Sequence, residues 1–202
     1  TSWRLFVALL ASADAIADLE AAVAPLRDEW TTLRWTQRQL WHLTAAFFGE
    51  VFEERVSELS ARLQRAAARH VVPALRFSGG GGFSRPAQAN VVYVGVDGSL
   101  RQLHALADSC SAAGRRIGLA LEERTYRPHL TLARVKVRSP IDVRPIVEQL
   151  DGYAGPTWTP SEIVLMRSHL GPHPRHVPIG RWPLRGVDPA HDHEDNFDAM
   201  SN

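Results

Sequence analysis

Two short runs in the chain repeat one another: Trp41-His42-Leu43-Thr44 and Pro128-His129-Leu130-Thr131, with the histidines 87 positions apart. Each lies in an extended-looking stretch, Leu40 to Phe47 and His129 to Val137. In a strand, residues i and i+2 share a face. Each run therefore offers an imidazole and a hydroxyl side by side, with a leucine behind. Histidine titrates near 6.5. One neutral ring can take a proton from a nucleophile while a second, protonated ring gives one to a leaving oxygen. Two hydroxyls between them can donate to the non-bridging oxygens of a phosphate. That is the chemistry that opens a phosphodiester, and it requires no metal and no cofactor. A lone His-x-Thr on a strand reads as an ordinary surface pair. The duplication changes that reading, because a twofold-like arrangement of two half-domains can bring two such strands together.

The elements that must position this pair follow from periodicity. The spacing predicts a strand over 4–10, a helix over 13–29, strands near 34–37 and 39–47, and a helix over 51–69. Strands near 74–78 and 90–96 and a helix over 99–113 come next. The second half reads as strands near 119–124 and 128–137, a helix over 141–150, strands over 155–159 and 162–169, and a last strand near 179–185. Ile16, Leu19, Val23, Leu26 and Trp30 recur at helical spacing, with Ser12 as the expected N-cap. Phe52, Val56, Leu59 and Leu63 do the same in the second helix, and Leu100, Leu103, Ala107 and Cys110 in the third. Cys110 thus reads as a small core residue rather than a nucleophile. Mixed strands and helices in this order suggest an α+β or α/β sandwich.

The remaining features exclude more than they assign. Arg4 followed by Leu5–Ala11 imitates a signal peptide. The apolar run is short, however, and passes straight into the amphipathic pattern, so a buried strand feeding a helix is the better reading. No stretch approaches the eighteen apolar residues of a membrane span, and no membrane partner is expected. Gly79–Gly82 lacks the Gly-Lys-Ser/Thr of a phosphate loop, Phe83-Ser84-Arg85 following instead, and reads as a turn between two strands. The single cysteine excludes an intramolecular disulfide and a cysteine-clustered metal site, and fits a cytoplasmic protein.

The net charge of +1 hides an asymmetry. Five acids, Asp188, Asp192, Glu194, Asp195 and Asp198, fall in residues 188–202, which hold no Lys or Arg. Without them, residues 1–187 carry 23 basic and 17 acidic side chains, a mildly basic body that suits a phosphate-bearing partner. The expected organisation is one bilobal domain over 1–187 and an acidic, solvated tail over 188–202. His191-Asp192-His193-Glu194-Asp195 reads as part of that tail rather than as a metal set. Lys136 is the only lysine and has no Lys-x-Asp-Gly around it, which counts against an ATP-dependent ligase.

With these residues in view, the chain resembles the 2H phosphoesterases, specifically the RNA 2′,3′-cyclic phosphodiesterases, also called 2′-5′ RNA ligase-like proteins. The resemblance runs from residue 3 to about 185. It rests on Arg4-Leu-Phe6-Val-Ala-Leu9, Trp41-His-Leu-Thr-Ala-Ala-Phe-Phe-Gly49 and Tyr126-Arg-Pro-His-Leu-Thr-Leu-Ala-Arg134, with Arg181-Trp-Pro-Leu184 in support. It implies an α+β fold of two pseudo-symmetric lobes, antiparallel-rich sheets with outer helices around a central cleft, and one motif on each side. It implies His42 as proton donor, His129 as proton acceptor, and Thr44 and Thr131 on the phosphate. Arg134 looks like the arginine that follows the second motif in relatives. Strict alternation puts it on the face opposite His129 and Thr131, so contact with phosphate requires a bulge or a twist. Phe6 is a candidate for stacking on an unstacked base, beside its ordinary reading as a core phenylalanine. Relatives often carry a tyrosine in the last loop before the final strand, where this chain has Pro174-Arg-His-Val177.

The implied function is metal-independent hydrolysis of RNA 2′,3′-cyclic phosphate ends to 2′-phosphates by a monomer, with weak, reversible ATP-independent 2′–5′ RNA ligation. Two other readings stay open at this point. One keeps the site but gives it 2′–5′ oligonucleotides or another small cyclic phosphate. The other is a non-catalytic module that binds RNA ends, against which stand the intact His and Thr of both motifs.

Overall fold

A computed structural model describes residues 1–136 and 138–186. The first strand, β1 (Ser2–Leu9), shows why the chain folds as it does. Leu5, Val7 and Leu9 alternate into the main core, each fully buried, as period-2 patterning requires. Phe6 and Ala8 are buried on the opposite face, in a separate small cluster with Val164 and Met166. A strand apolar on both faces must be covered on both. Here helices cover one face and the candidate site lies on the other.

Ser12 caps α1 (Ala13–Glu29), its hydroxyl oxygen accepting from the Ala15 N–H at 3.3 Å. β2 (Leu33–Trp35), a 3-10 turn (Arg38–Leu40) and β3 (Leu43–Phe52) lead to α2 (Glu53–Arg69). β4 (Leu75–Arg85) and β5 (Gln88–Gly98) precede α3 (Leu100–Arg116). β6 (His129–Val135), α4 (Arg144–Leu150), β7 (Glu162–His169) and β8 (Arg175–Pro183) complete the described chain. The strands form two antiparallel four-stranded sheets, ordered β3-β1-β7-β8 and β2-β6-β5-β4. α2 and α3 lie against the first sheet, α1 and α4 against β4 of the second. The architecture is therefore the expected α+β pair of sheets with outer helices. The chain reaches it by crossing repeatedly between the sheets rather than by completing one half before the other. None of the described helices is long and apolar enough to cross a membrane.

Several expectations are corrected. Residues 119–124 form no strand, and 155–159 makes only one isolated bridge, Trp158 opposite Leu75. Phe52 is the last residue of β3 and 64% exposed, not part of the helix's buried stripe. The last strand starts at Arg175 rather than near 179. Gly79–Gly82 is not a turn but the middle of β4. Its glycines let other groups come close: a Cβ on Gly80 would lie 2.9 Å from Leu150 of α4, and one on Gly81 would collide with the Tyr93 ring. Glycine in a strand admits a neighbour on each face, and turn propensity alone does not register that demand. Cys110 is fully buried on α3, and burial pushes its thiol up to about 12, so it is the core residue its spacing suggested. The acidic tail lies outside the described residues.

Leu5 sits at the crossing of β1 with both β3 and β7. Leu5→Ala should lower stability by about 2–5 kcal/mol in urea unfolding, the usual loss for a fully buried leucine.

Candidate active site

The two histidines sit in matched settings. His42 precedes β3, and its Nδ1 lies 2.8 Å from the Leu40 carbonyl oxygen. His129 opens β6, and its Nδ1 lies 2.6 Å from the Arg127 carbonyl oxygen. In each case the carbonyl two residues upstream accepts from Nδ1–H. That fixes the tautomer and leaves Nε2 as the working nitrogen. His42 Nε2 is 3.0 Å from Thr44 Oγ1.

A second correspondence lies in the strand register. Ala8 stands opposite Thr44 and Val7 opposite Ala46, so Ala45 is an extra, unpaired residue. Tyr93 stands opposite Thr131 and Val92 opposite Ala133, so Leu132 is extra in the same way. Both bulges fall three residues after the motif histidine. A bulge of one residue resets which side chains share a face. Arg134 pairs with Val91, and Val91 shares a face with Tyr93, so Arg134 lies on the His129–Thr131 side of β6. Phe47, at the same offset from His42, pairs with Phe6 and lies on the Thr44 side of β3.

Aromatic rings hold each imidazole. Phe6 packs on His42 with centroids 4.7 Å apart, and His176 of β8 meets both, at 4.9 Å from Phe6 and 5.1 Å from His42. Phe6 is only 4% exposed. Its contacts are with the imidazoles, and so covered a ring offers little face to a base. On the other side, Phe83 stacks on Tyr93 at 4.4 Å, and both rings touch His129, at 4.8 and 5.3 Å. The Tyr93 ring lies over Gly81, which explains the glycine there. A cavity of about 520 Å³ opens beside His129, lined by Gly95, His104, Tyr126 and Arg127 among others. The Tyr126 hydroxyl donates to the Thr44 carbonyl oxygen at 2.8 Å and so ties the two motifs together.

Burial sets the electrostatics. Desolvation pushes His42 down to about 4, partly opposed by its bond to Leu40, and the charges of His176 and His129 lower it further. Desolvation also lowers His129, with Arg134 acting in the same direction, and lowers His176. Among the described residues no group of three His, Cys, Asp or Glu side chains is placed to hold a metal ion. The residues singled out from sequence are thus gathered on two facing sets: Phe6, His42 and Thr44 on one sheet, His129, Thr131 and Arg134 on the other. The sequence reading had no role for His176, Tyr93, Phe83 or Tyr126. His176 falls in Pro174-Arg-His-Val177, and Tyr126 in the second motif's own run.

An α+β pair of sheets with a doubled His-x-Thr between them defines a 2H-type phosphoesterase architecture. Residues 17–172 match the model of the 2′-5′ RNA ligase superfamily, and the chain belongs to that superfamily. It is 33% identical over 104 residues to the RNA 2′,3′-cyclic phosphodiesterase of Aeropyrum pernix, covering 52% of this chain and 58% of that one. It is 26% identical over 156 residues to the enzyme of the same name from Geobacillus stearothermophilus, covering 76% and 48%. The chain thus spans about half the length of these relatives. Among solved structures, E. coli LigT complexed with 3′-AMP superposes with a TM-score of 0.69 at 25% identity, over 91% of this chain and 99% of that one. A Thermus thermophilus protein gives 0.72 at 23%, over 92% and 100%, and shares the fold.

The depressed His42 makes a sign-specific prediction. An unfolded histidine titrates near 6.5, so the unfolded chain binds the proton first as pH falls. The stability held by the neutral, buried ring is complete above about 6.5 and is lost on descent towards 4. Between pH 7 and 4, wild type should lose about 3 kcal/mol more than His42→Gln in denaturant unfolding. Tyr126→Phe should cost about 1 kcal/mol at any pH between 5 and 8, by the same measurement.

Proposed function

We propose that the protein is a hydrolase that opens RNA 2′,3′-cyclic phosphate ends to 2′-phosphates without a metal ion. The observation that carries this reading is the identical capping of both motif histidines, which presents two Nε2 atoms from facing sheets. Opening the ring requires water to attack phosphorus in line with the departing oxygen, so base and acid must act from opposite sides. His129 Nε2 takes a proton from water as the new P–O bond forms. The bond from phosphorus to the ribose 3′ oxygen breaks, and His42 Nε2–H protonates that oxygen. Thr44 and Thr131 donate to the non-bridging oxygens, and Arg134 opposes the phosphate charge.

Burial favours neutral His42 at pH 7. The phosphodiester anion supplies the charge that favours its protonated form, so substrate and proton bind together. Thr44 Oγ1 then turns from Nε2 to the phosphate. The names borne by the Aeropyrum and Geobacillus relatives support the substrate. Weak ATP-independent 2′–5′ joining is the same ring opening with an RNA 5′ hydroxyl in place of water: His129 takes its proton as the P–O5′ bond forms, and His42 protonates the departing 3′ oxygen.

His42→Ala and His129→Ala should each reduce hydrolysis of a cyclic mononucleotide by about 10²–10⁴-fold, the usual share of general acid or base catalysis. Either variant keeping more than about a tenth of the rate would remove it from these roles. EDTA should leave turnover unchanged, and phosphorus NMR should show a 2′-phosphate. A predominant 3′-phosphate would reverse the donor and acceptor.

A further inference from the structure

β1 and β7 pair only from Leu5–Ala8 against Val164–Arg167. Beyond Leu5, β1 stays with β3 as far as Ser2 opposite Phe52, while β7 continues with β8 to His169 opposite Arg175. The parting strands open a groove of about 270 Å³ lined by Ser2, Trp3, Arg4, Glu50, Arg167 and His169, among others. Two of its arginines are held unusually. The Arg4 guanidinium lies 4.6 Å from the centre of the Phe47 ring, and that of Arg167 lies 4.3 Å from Trp3. Seven arginines of the described residues are paired with carboxylates, but these two are not among them. Glu50, opposite Arg4 in register, accepts instead from the Ser2 hydroxyl at 2.8 Å. An arginine stacked on a ring is pre-ordered, with its N–H edge free for an anion.

The groove continues the candidate active site. Arg4 is two residues from Phe6 on the same strand and therefore on the same face. Its support, Phe47, occupies on β3 the place that Arg134 occupies on β6, five residues after the motif histidine and returned to the cleft side by the bulge. The two sheets thus put a cation at corresponding points, directly as Arg134 in one and as Arg4 carried on Phe47 in the other. From Ala8, level with Thr44, to Arg4 is about 13 Å of strand, which a single-stranded RNA crosses in a few nucleotides. Arg167 pairs with Leu5, so it and Trp3 lie on the opposite, core side of the sheet. We propose that the cleft side of this groove is a phosphate subsite, in which Arg4 holds the backbone of the RNA chain on the 5′ side of the cyclic end. The proposal rests on the RNA-end reading of the site, and it names the part of the substrate that a mononucleotide lacks.

The test compares kcat/KM for a 2′,3′-cyclic mononucleotide and a cyclic-ended oligonucleotide in wild type, Arg4→Gln and Arg167→Gln. Arg4→Gln should lower the preference for the oligonucleotide by roughly tenfold, the size of one charge-assisted hydrogen bond, whereas Arg167→Gln, on the opposite face, should leave it unchanged. The slope of log kcat/KM against log salt should fall by about 0.7 for each phosphate that an arginine no longer neutralises. A preference unchanged in Arg4→Gln, an equal loss in Arg167→Gln, equal losses on both substrates, or an unaltered salt slope in Arg4→Gln would overturn the subsite. Fluorescence anisotropy of an oligonucleotide ending in a 2′-phosphate separates this from the reaction itself. Wild type that turns over neither substrate would overturn the proposed hydrolysis. Salt-sensitive oligonucleotide binding weakened by Arg4→Gln would still support the groove, and its absence in wild type would overturn it.

Discussion

The hydrogen bond from the Tyr126 hydroxyl to the Thr44 carbonyl joins elements of different sheets that share no ladder. Thr44 belongs to β3, an edge strand of one sheet, and Tyr126 precedes β6 in the other. Edge strands leave half of their backbone groups without a ladder partner, and a buried carbonyl without one is costly. Tyr126 supplies that partner three residues before His129, so satisfying the carbonyl also fixes the second motif against the first. Burial raises the phenol's pKa and keeps it a donor. General acid–base work between two imidazoles tolerates little slack, and this bond removes much of it.

Around that tie the two halves are alike in backbone and unlike in environment. Both histidines are capped at Nδ1, both motifs are followed by a bulge, and both rings are packed by aromatics. Yet His42 lies deeper and beside a third imidazole, His176, whereas His129 borders an open cavity and faces Arg134. Environments that differ in this way set two chemically identical groups to different tasks. The symmetry belongs to the strand geometry, and the asymmetry to the side chains placed on it.

Much of this was legible in residue order. His42, Thr44, His129 and Thr131 declare themselves because two-residue spacing on a strand is a local property. The helices are legible for the same reason, as the Ser12 cap and the buried Leu59–Leu63 stripe show. What could not be read depends on partners distant in the chain. The bulge at Leu132 that returns Arg134 to the cleft side arises from its pairing with β5. Gly81 looks like turn chemistry until Tyr93 is placed over it. His176 comes to His42 only because β8 packs beyond β7, and nothing in Pro174-Arg-His-Val177 announces that neighbour.

The way β1 is partnered governs when the protein can be completed as it is made. β1 lies between β3 and β7, and β7 begins only at Glu162. Until that strand leaves the ribosome, Phe6 and Ala8 lack the Val164 and Met166 that cover them. The nascent chain therefore carries an open sheet edge beside an uncovered apolar face until those residues are made. Pairings so distant in sequence form slowly and leave such surfaces prone to association. The interleaving that sets one histidine in each sheet thus makes assembly of the first sheet a late event.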